Sequence, residues 1–179
     1  MKKTWFIADL HLGHQKIIDF ELRPFKTLEE MDEAIVENWN SVVGDNDDIF
    51  VLGDFSFYDK EKTTEICKKL KGRKILIMGC HDEESVSYYM ECGFEEVYNY
   101  PIIYREFFML SHKPLYINTN MPYANIFGHV HSNVMYKTYS SQSACVCVER
   151  TSYYPLDFGF IVKLMKEAKE KENKNDCYT

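Results

Sequence analysis

The sequence predicts an α/β protein, and three observations carry that reading. Short apolar runs (Trp5-Phe6-Ile7-Ala8, Ile49-Phe50-Val51-Leu52 and Ile75-Leu76-Ile77-Met78) have the length and composition of strands buried on both faces. Segments with helical periodicity separate them. Each run then breaks off at polar residues, namely Asp9, Gly53-Asp54 and Gly79-Cys80-His81-Asp82. In open α/β sheets, ligands bind just outside the carboxyl ends of the strands. The back half of the chain reads as short, aromatic, alternating segments, so helices alternate with strands in front and strands dominate behind.

The 179 residues fit one domain spanning 1–179, with a charged tail over about 169–179. A net charge of -7 argues against a general nucleic-acid surface, which is normally basic. A phosphate substrate stays open, because bound divalent cations can reverse the local charge of a pocket. The apolar run after Met1 is interrupted at Asp9, too soon for a signal-peptide core, and no later run approaches a membrane span. A cytoplasmic location, with no membrane partner, is the expectation. The six cysteines show no CxxC spacing, which speaks against a zinc ribbon or a disulfide framework. Cys145 and Cys147 read as two small core residues on one strand face.

In chain order, Trp5–Ala8 is the first strand. After the Arg23-Pro24-Phe25 loop, Thr27-Leu28-Glu29-Glu30 has capping-box form and opens a helix. Its apolar stripe is Leu28, Met31, Ile35, Trp39 and Val42. The acidic run Asp45-Asn46-Asp47-Asp48 lacks EF-hand spacing and reads as a solvated turn. The second strand precedes a helix from about Lys60 to Leu70, with Thr63, Ile66, Cys67 and Leu70 inward. The third strand precedes a short helix over roughly 83–91. Antiparallel strands are expected around 95–99, 102–105 and 107–111, and a further strand pair near 134–138 and 144–148. Phe160, Ile161, Leu164, Met165 and Ala168 mark a final helix that fades into the charged tail.

Chemistry enters through a recurrence. Five apolar runs end in metal-binding residue types: Asp9 and His11; Asp54; Cys80, His81 and Asp82; His112; and His129 with His131. One histidine after a strand is usually structural, whereas five of six at strand exits is a pattern. Residues two apart on an extended segment project the same way, so Asp9 with His11, and His129 with His131, are expected to converge. Gly53, Gly79 and Gly128 permit close backbone approach at the rim. Mixed carboxylate and imidazole ligation suits Mn²⁺, Fe²⁺ or Zn²⁺. The ligands outnumber what one ion needs, so two ions about 4 Å apart are the expected cofactors. A closed structural zinc site does not use so many ligands.

The ordered set Asp9-x-His11, Gly53-Asp54, Gly79-Cys80-His81-Asp82, His112 and Gly128-His129-x-His131 resembles the calcineurin-like metallophosphoesterase family. The motifs span nearly the whole chain. The resemblance implies a four-layer α/β/β/α sandwich and two metal sites. The first would be held by Asp9, His11, Asp54 and His131; the second by Asp54, Cys80, His112 and His129. His81 would lie beside the substrate phosphate, with Asp82 orienting its imidazole. The implied reaction is in-line attack on a phosphate ester, most simply a phosphodiester, by a metal-bridging hydroxide, with His81 serving the leaving oxygen. The substrate would be a small phosphate ester or a nucleotide.

The chain departs from that family at Cys80, where asparagine is usual. The cysteine either ligates and biases the second site toward Zn²⁺ or Fe²⁺, or falls short and leaves that site weak, or is a substitution particular to this chain. His14 reads either as a substrate-phosphate contact or as a helix-start histidine with a local hydrogen bond. Arg23 reads as a phosphate contact or as an exposed or aromatic-stacked side chain. No arginine follows Gly53-Asp54 as in the protein-phosphatase branch, which points to the small prokaryotic or phage-type phosphoesterases. A nuclease of the same family and a binding module weakened through Cys80 are the alternatives. Nothing in the loops around 12–26, 55–60 and 113–124 reads a base or sugar.

Overall fold

A computed structural model describes residues 2–118 and 120–176. Cys177 and the rest of the predicted tail beyond 176 lie outside the described residues. Among those described, the chain is a mixed α/β fold of two sheets and five helices. The first sheet runs β4-β3-β2-β1-β9, from β1 (Thr4–Ile7), β2 (Asp48–Val51), β3 (Arg73–Ile77), β4 (Glu96–Tyr98) and β9 (Leu156–Asp157). All pairs are parallel except β1 with β9. The second runs β5-β6-β7-β8, from β5 (Ile102–Tyr104), β6 (Phe108–Ser111), β7 (Ala124–Phe127) and β8 (Ser143–Cys145). There β5 is antiparallel to β6, and the other pairs are parallel.

Alternation divides the core in two. Trp5, Ile7, Ile49, Val51 and Leu76 face the helices, among them Met31, Ile35 and Trp39 of α2 (Leu28–Val42) and Ile66 and Cys67 of α3 (Lys60–Lys69). Phe6, Ala8, Phe50, Leu52, Ile75 and Ile77 point the other way, onto Leu110, Ala124, Ile126 and Ala144 of the second sheet. The last helix, α5 (Phe158–Asp176), adds Ile161 and Met165 to that second cluster, while Phe160 is exposed rather than inward. Sheet-on-sheet packing therefore brings the ends of β1, β2 and β3 beside the ends of β6 and β7.

Caps mark the helix starts as the residue types require. Thr27 accepts from Glu30 N and Asp59 from Lys62 N, and Ser85 accepts from Tyr88 N to open α4 (Val86–Cys92). Gly93 ends α4 in a left-handed conformation at φ 117°.

Several expectations are corrected. The strand near 95–99 is β4, and it runs parallel to β3 because α4 between them makes a crossover. No strand forms over 134–138: the Arg150 guanidinium gathers the carbonyls of His131, Asn133 and Tyr136, and Val134 and Met135 lie exposed. Its predicted partner, β8, instead pairs with β7 in parallel. A short helix, α1 (Gln15–Phe20), occupies what reads as loop. The acidic turn is not simply solvated, for Asp47 is buried and accepts from Lys3 N (2.8 Å), Trp5 Nε1 (2.9 Å) and Gly44 N (3.0 Å). Among the described residues, no helix is long and apolar enough to cross a membrane.

Burial opposes ionisation of Asp47, but those three donors outweigh it and hold its carboxyl below the usual range. A carboxyl depressed in the folded state stabilises above its unfolded value, and that contribution is lost as pH falls through the folded value. Asp47→Ala should therefore cost about 1–3 kcal/mol at neutral pH, by denaturant unfolding. The deficit relative to the unsubstituted chain should shrink as the pH is lowered through the acid range.

Candidate metal centre

The residues singled out at the strand ends meet in space. Asp9 and His11 follow β1, Asp54 follows β2, Cys80 and His81 follow β3, His112 follows β6, and His129 and His131 follow β7. Asp9, His11, Asp54 and His112 form a buried floor, with Cys80, His81 and His129 exposed at the rim. The means of convergence differs from the expectation. Strand alternation does not carry it, because the strands end at Ile7 and Phe127 and the ligand residues beyond them have left extended geometry. Asp9 (φ 59°), His11 (φ 53°), Asp54 (φ 54°), His129 (φ 71°) and His131 (φ 45°) all sit in the left-handed region. Non-glycine residues held there cost about 1–3 kcal/mol each and gather at functional sites.

The side chains interleave closely. His11 Nε2 lies 3.5 Å from Asp54 Oδ2, and His112 Nε2 lies 3.6 Å from the same oxygen. His131 Nε2 is 3.7 Å from Asp9 Oδ1, and His129 Nδ1 is 3.1 Å from His112 Nε2. Cys80 Sγ stands 3.8 Å from His129 Nδ1. His112 Nδ1 donates to Leu52 O at 2.9 Å, which leaves its Nε2 turned to the centre. Among the described residues, four donor groups are each compact enough to hold a cation: Asp9, His11 and His131; Asp9, Asp54 and His112; Cys80, His112 and His129; and Glu21, His131 and Glu149.

The donor set fits a metal by two observations. Asp9 Oδ1 and His11 Nε2 are buried with no hydrogen-bond partner, although buried polar atoms are normally satisfied. Burial also disfavours charge on the floor residues. Burial pushes the Asp9 carboxyl up to about 7, against the pull of His131 and His112, and pushes His11 down to about 4. Burial opposes ionisation of Asp54 too, but His11, whose Nε2 is 3.5 Å from Oδ2, and His112 hold it well below the usual range. For His131, burial is outweighed by Glu149 and Asp9, which raise it to about 9. Divalent cations among these donors would satisfy the bare atoms and compensate the buried carboxylates.

Backbone contacts set the positions. Asp9 N donates to Gly53 O and His11 N to Asp54 O, each at 3.0 Å. A Cβ on Gly128 would stand 2.6 Å from Asp9 Oδ2 and 2.5 Å from Ala8 Cβ, so only glycine admits that approach. Gly79 packs as tightly, with a Cβ there falling 2.6 Å from Asp54 N.

The expected role of Asp82 changes, Arg23 turns inward, and His14 takes the helix-start reading with a local hydrogen bond. Asp82 does not orient His81; its carboxylate accepts from Asp54 N, Phe55 N and Gly79 N, at 2.8, 3.0 and 2.8 Å. Arg23 is buried rather than exposed, lies over the Tyr153 ring 5.8 Å from its centroid, and donates to Leu10 O, Asp9 O and Glu149. His14 turns Nδ1 to His11 Nδ1 at 3.2 Å and stacks on Phe57 with ring centroids 4.1 Å apart. Glu149, which bonds His131 Nδ1 at 2.9 Å, is absent from the sequence reading. Its only sequence signal is an acid two residues past Cys147, which periodicity does not single out.

Fold and site together define an α/β protein with a cluster of metal-type ligands at the strand ends of two packed sheets. No protein-family model matches the chain. It is 34% identical over 184 residues to the uncharacterized protein MJ1445 of Methanocaldococcus jannaschii, covering 98% of both chains, and belongs to the family of that protein. Among solved structures it resembles a protein of unknown function, AQ665 from Aquifex aeolicus, at TM-score 0.70 and 29% identity over 92% of this chain and 100% of that one. A looser likeness, to nuclease MPE of Pseudomonas putida, has TM-score 0.49 and 21% identity over 72% of this chain and 61% of that one, too loose to carry argument.

Gly128→Ala should displace Asp9 and lower stability by about 1–3 kcal/mol through overpacking. Thermal unfolding reads the loss, and metal content should fall with it.

Proposed function

We propose that the chain is a metal-dependent phosphoesterase acting on a phosphodiester. The observation that supports this most is the run of adjacent donor groups that share Asp9 and His112, with Asp54 Oδ2 between His11 and His112 and bare buried Asp9 Oδ1 and His11 Nε2 beside it. In this reading Asp9, His11, Asp54 and His131 hold one ion, and Asp54, Cys80, His112 and His129 the other. When bound, the ions supply Lewis acidity toward phosphoryl oxygens and make water a competent nucleophile near neutral pH.

The chain's own groups do the rest. Asp54 Oδ1 accepts from His81 N at 2.8 Å, fixing the backbone that carries the His81 ring. That ring lies exposed, its centroid 5.5 Å from that of His11, and is placed to protonate a leaving oxygen. Clefts open on either side. One of about 330 Å³ beside His81 is lined by Phe57, Tyr58 and Tyr88, and one of about 380 Å³ beside Cys80 and His112 is lined by Tyr100, Pro101 and Lys113. A diester has a substituent for each cleft, and a monoester for one. Net charge of -7 weighs against nucleic acid as that substrate.

Chain loaded with Mn²⁺ or Zn²⁺ should cleave bis(p-nitrophenyl) phosphate faster than the monoester, and EDTA should abolish the rate. Failure of either metal to stimulate cleavage of either ester would sink the reading, and cleavage of DNA in preference to both would redirect it to a nuclease. His81→Ala should lower kcat about 10²–10⁴-fold with metal content unchanged. A thiolate ligand favours softer metals, so Cys80→Asn should shift bound metal from Zn²⁺ toward Mn²⁺ when both compete, as read by elemental analysis. Unchanged metal content would deny Cys80 any role in the site.

A further inference from the structure

Glu149 stands in the 3₁₀ turn Val148–Arg150, outside every ligand motif. Its Oε1 accepts three hydrogen bonds: from Arg23 Nε at 3.0 Å, Arg23 Nη2 at 2.6 Å and His131 Nδ1 at 2.9 Å. Arg23 also donates from Nη1 to Leu10 O and from Nη2 to Asp9 O, both at 2.8 Å. The two side chains are 0% and 6% exposed. One buried guanidinium thus joins the left-handed backbone that carries Asp9 to the carboxylate that holds the ring of His131.

A carboxylate can only accept, so His131 donates to it through Nδ1–H, and its Nε2 is left bare, 3.7 Å from unpartnered Asp9 Oδ1. A carboxylate on the far nitrogen of a ligating imidazole fixes its tautomer and orientation and raises its basicity. Arg23 keeps that carboxylate from swinging. It also ties His131 to the Asp9 segment, although the two ligands are 122 residues apart in the sequence.

We propose that Glu149, clamped by Arg23, is the positioning residue of the first metal site, setting the tautomer and aim of His131 toward an ion shared with Asp9. The inference rests on the metal-centre reading above. In this proposal Glu149 acts through His131, its Oε1 shared by Arg23 and His131. Its Oε2 is buried with no partner, and Glu21, His131 and Glu149 form a compact donor group, so direct ligation is the outcome that the experiment separates.

The test is Co²⁺ binding to the metal-free full-length chain, followed by calorimetry and visible absorption, beside thermal unfolding of the metal-free protein. Glu149→Gln keeps the shape and removes the charge. It should weaken one ion about 10–100-fold, leave the other within about twofold, and alter the absorption of the weakened site. Wild-type affinity at both sites overturns the proposal. Outright loss of one ion makes Glu149 a ligand and overturns it too. If Glu149→Gln does not fold, Glu149→Asp keeps the charge against Arg23 while withdrawing the carboxylate from His131. That variant should show the same selective weakening, and wild-type affinity in it would equally overturn the positioning role. An unsubstituted chain that binds no Co²⁺ removes the metal centre itself, a failure distinct from any seen only in the variants.

Discussion

Asp9 and Asp54 each divide their two oxygens between backbone and centre. Asp9 Oδ2 accepts from His129 N at 2.8 Å, while Oδ1 faces His131 and His112. Asp54 Oδ1 accepts from His81 N, while Oδ2 faces His11 and His112. Asp82 has no share in the centre and spends both oxygens on the backbone of two loops. Such charge-assisted bonds to N–H groups are short and about twice as strong as neutral ones. They hold together loops that leave four different strands, and they let five ligand residues remain at positive φ. Remove one carboxylate and both a ligand and the loop beside it lose their support.

That network requires the two sheets to be in contact. Phe6, Phe50, Leu52 and Ile75 from one sheet bury against Leu110, Ala124 and Ile126 from the other, and this apolar layer sets the strand ends side by side. At the seam the backbones approach so closely that Gly128 touches Asp9 and Gly79 touches Asp54. The electrostatic consequence is a floor of carboxyls and imidazoles whose charges do not balance, with Asp9 pushed up by burial and His11 pushed down. Cys80, His81 and His129 form the exposed rim.

Around this centre lies a second layer of polar groups. Leu52 O fixes His112, Glu149 fixes His131, and His14 meets His11. Arg23 belongs to this layer, since its guanidinium turns inward to carbonyls and a carboxylate and has nothing left for a phosphate. The candidate donor side chains are thus backed by groups whose own positions are held.

The candidate donors and the alternation of strands and helices in the front half were legible in the sequence because local physics marks them. A buried parallel strand is a continuous apolar run, it must end where polar groups begin, and the cap at Thr27 announces a helix. What local patterns do not carry is the pairing of distant groups. The direction of β4, the loss of the strand at 134–138 to Arg150, and the inward turn of Arg23 each depend on a partner far away in the chain. Asp82 and Glu149 show the same limit from both sides: one acid stood in a motif and serves the backbone, the other stood in none and serves a ligand. The sequence by itself determined which residue types would stand at the strand ends, because burial and periodicity act along the chain. Only the tertiary structure decided how they converge, because left-handed backbone at Asp9, His11, Asp54, His129 and His131 is affordable only where neighbouring loops supply the hydrogen bonds that hold it.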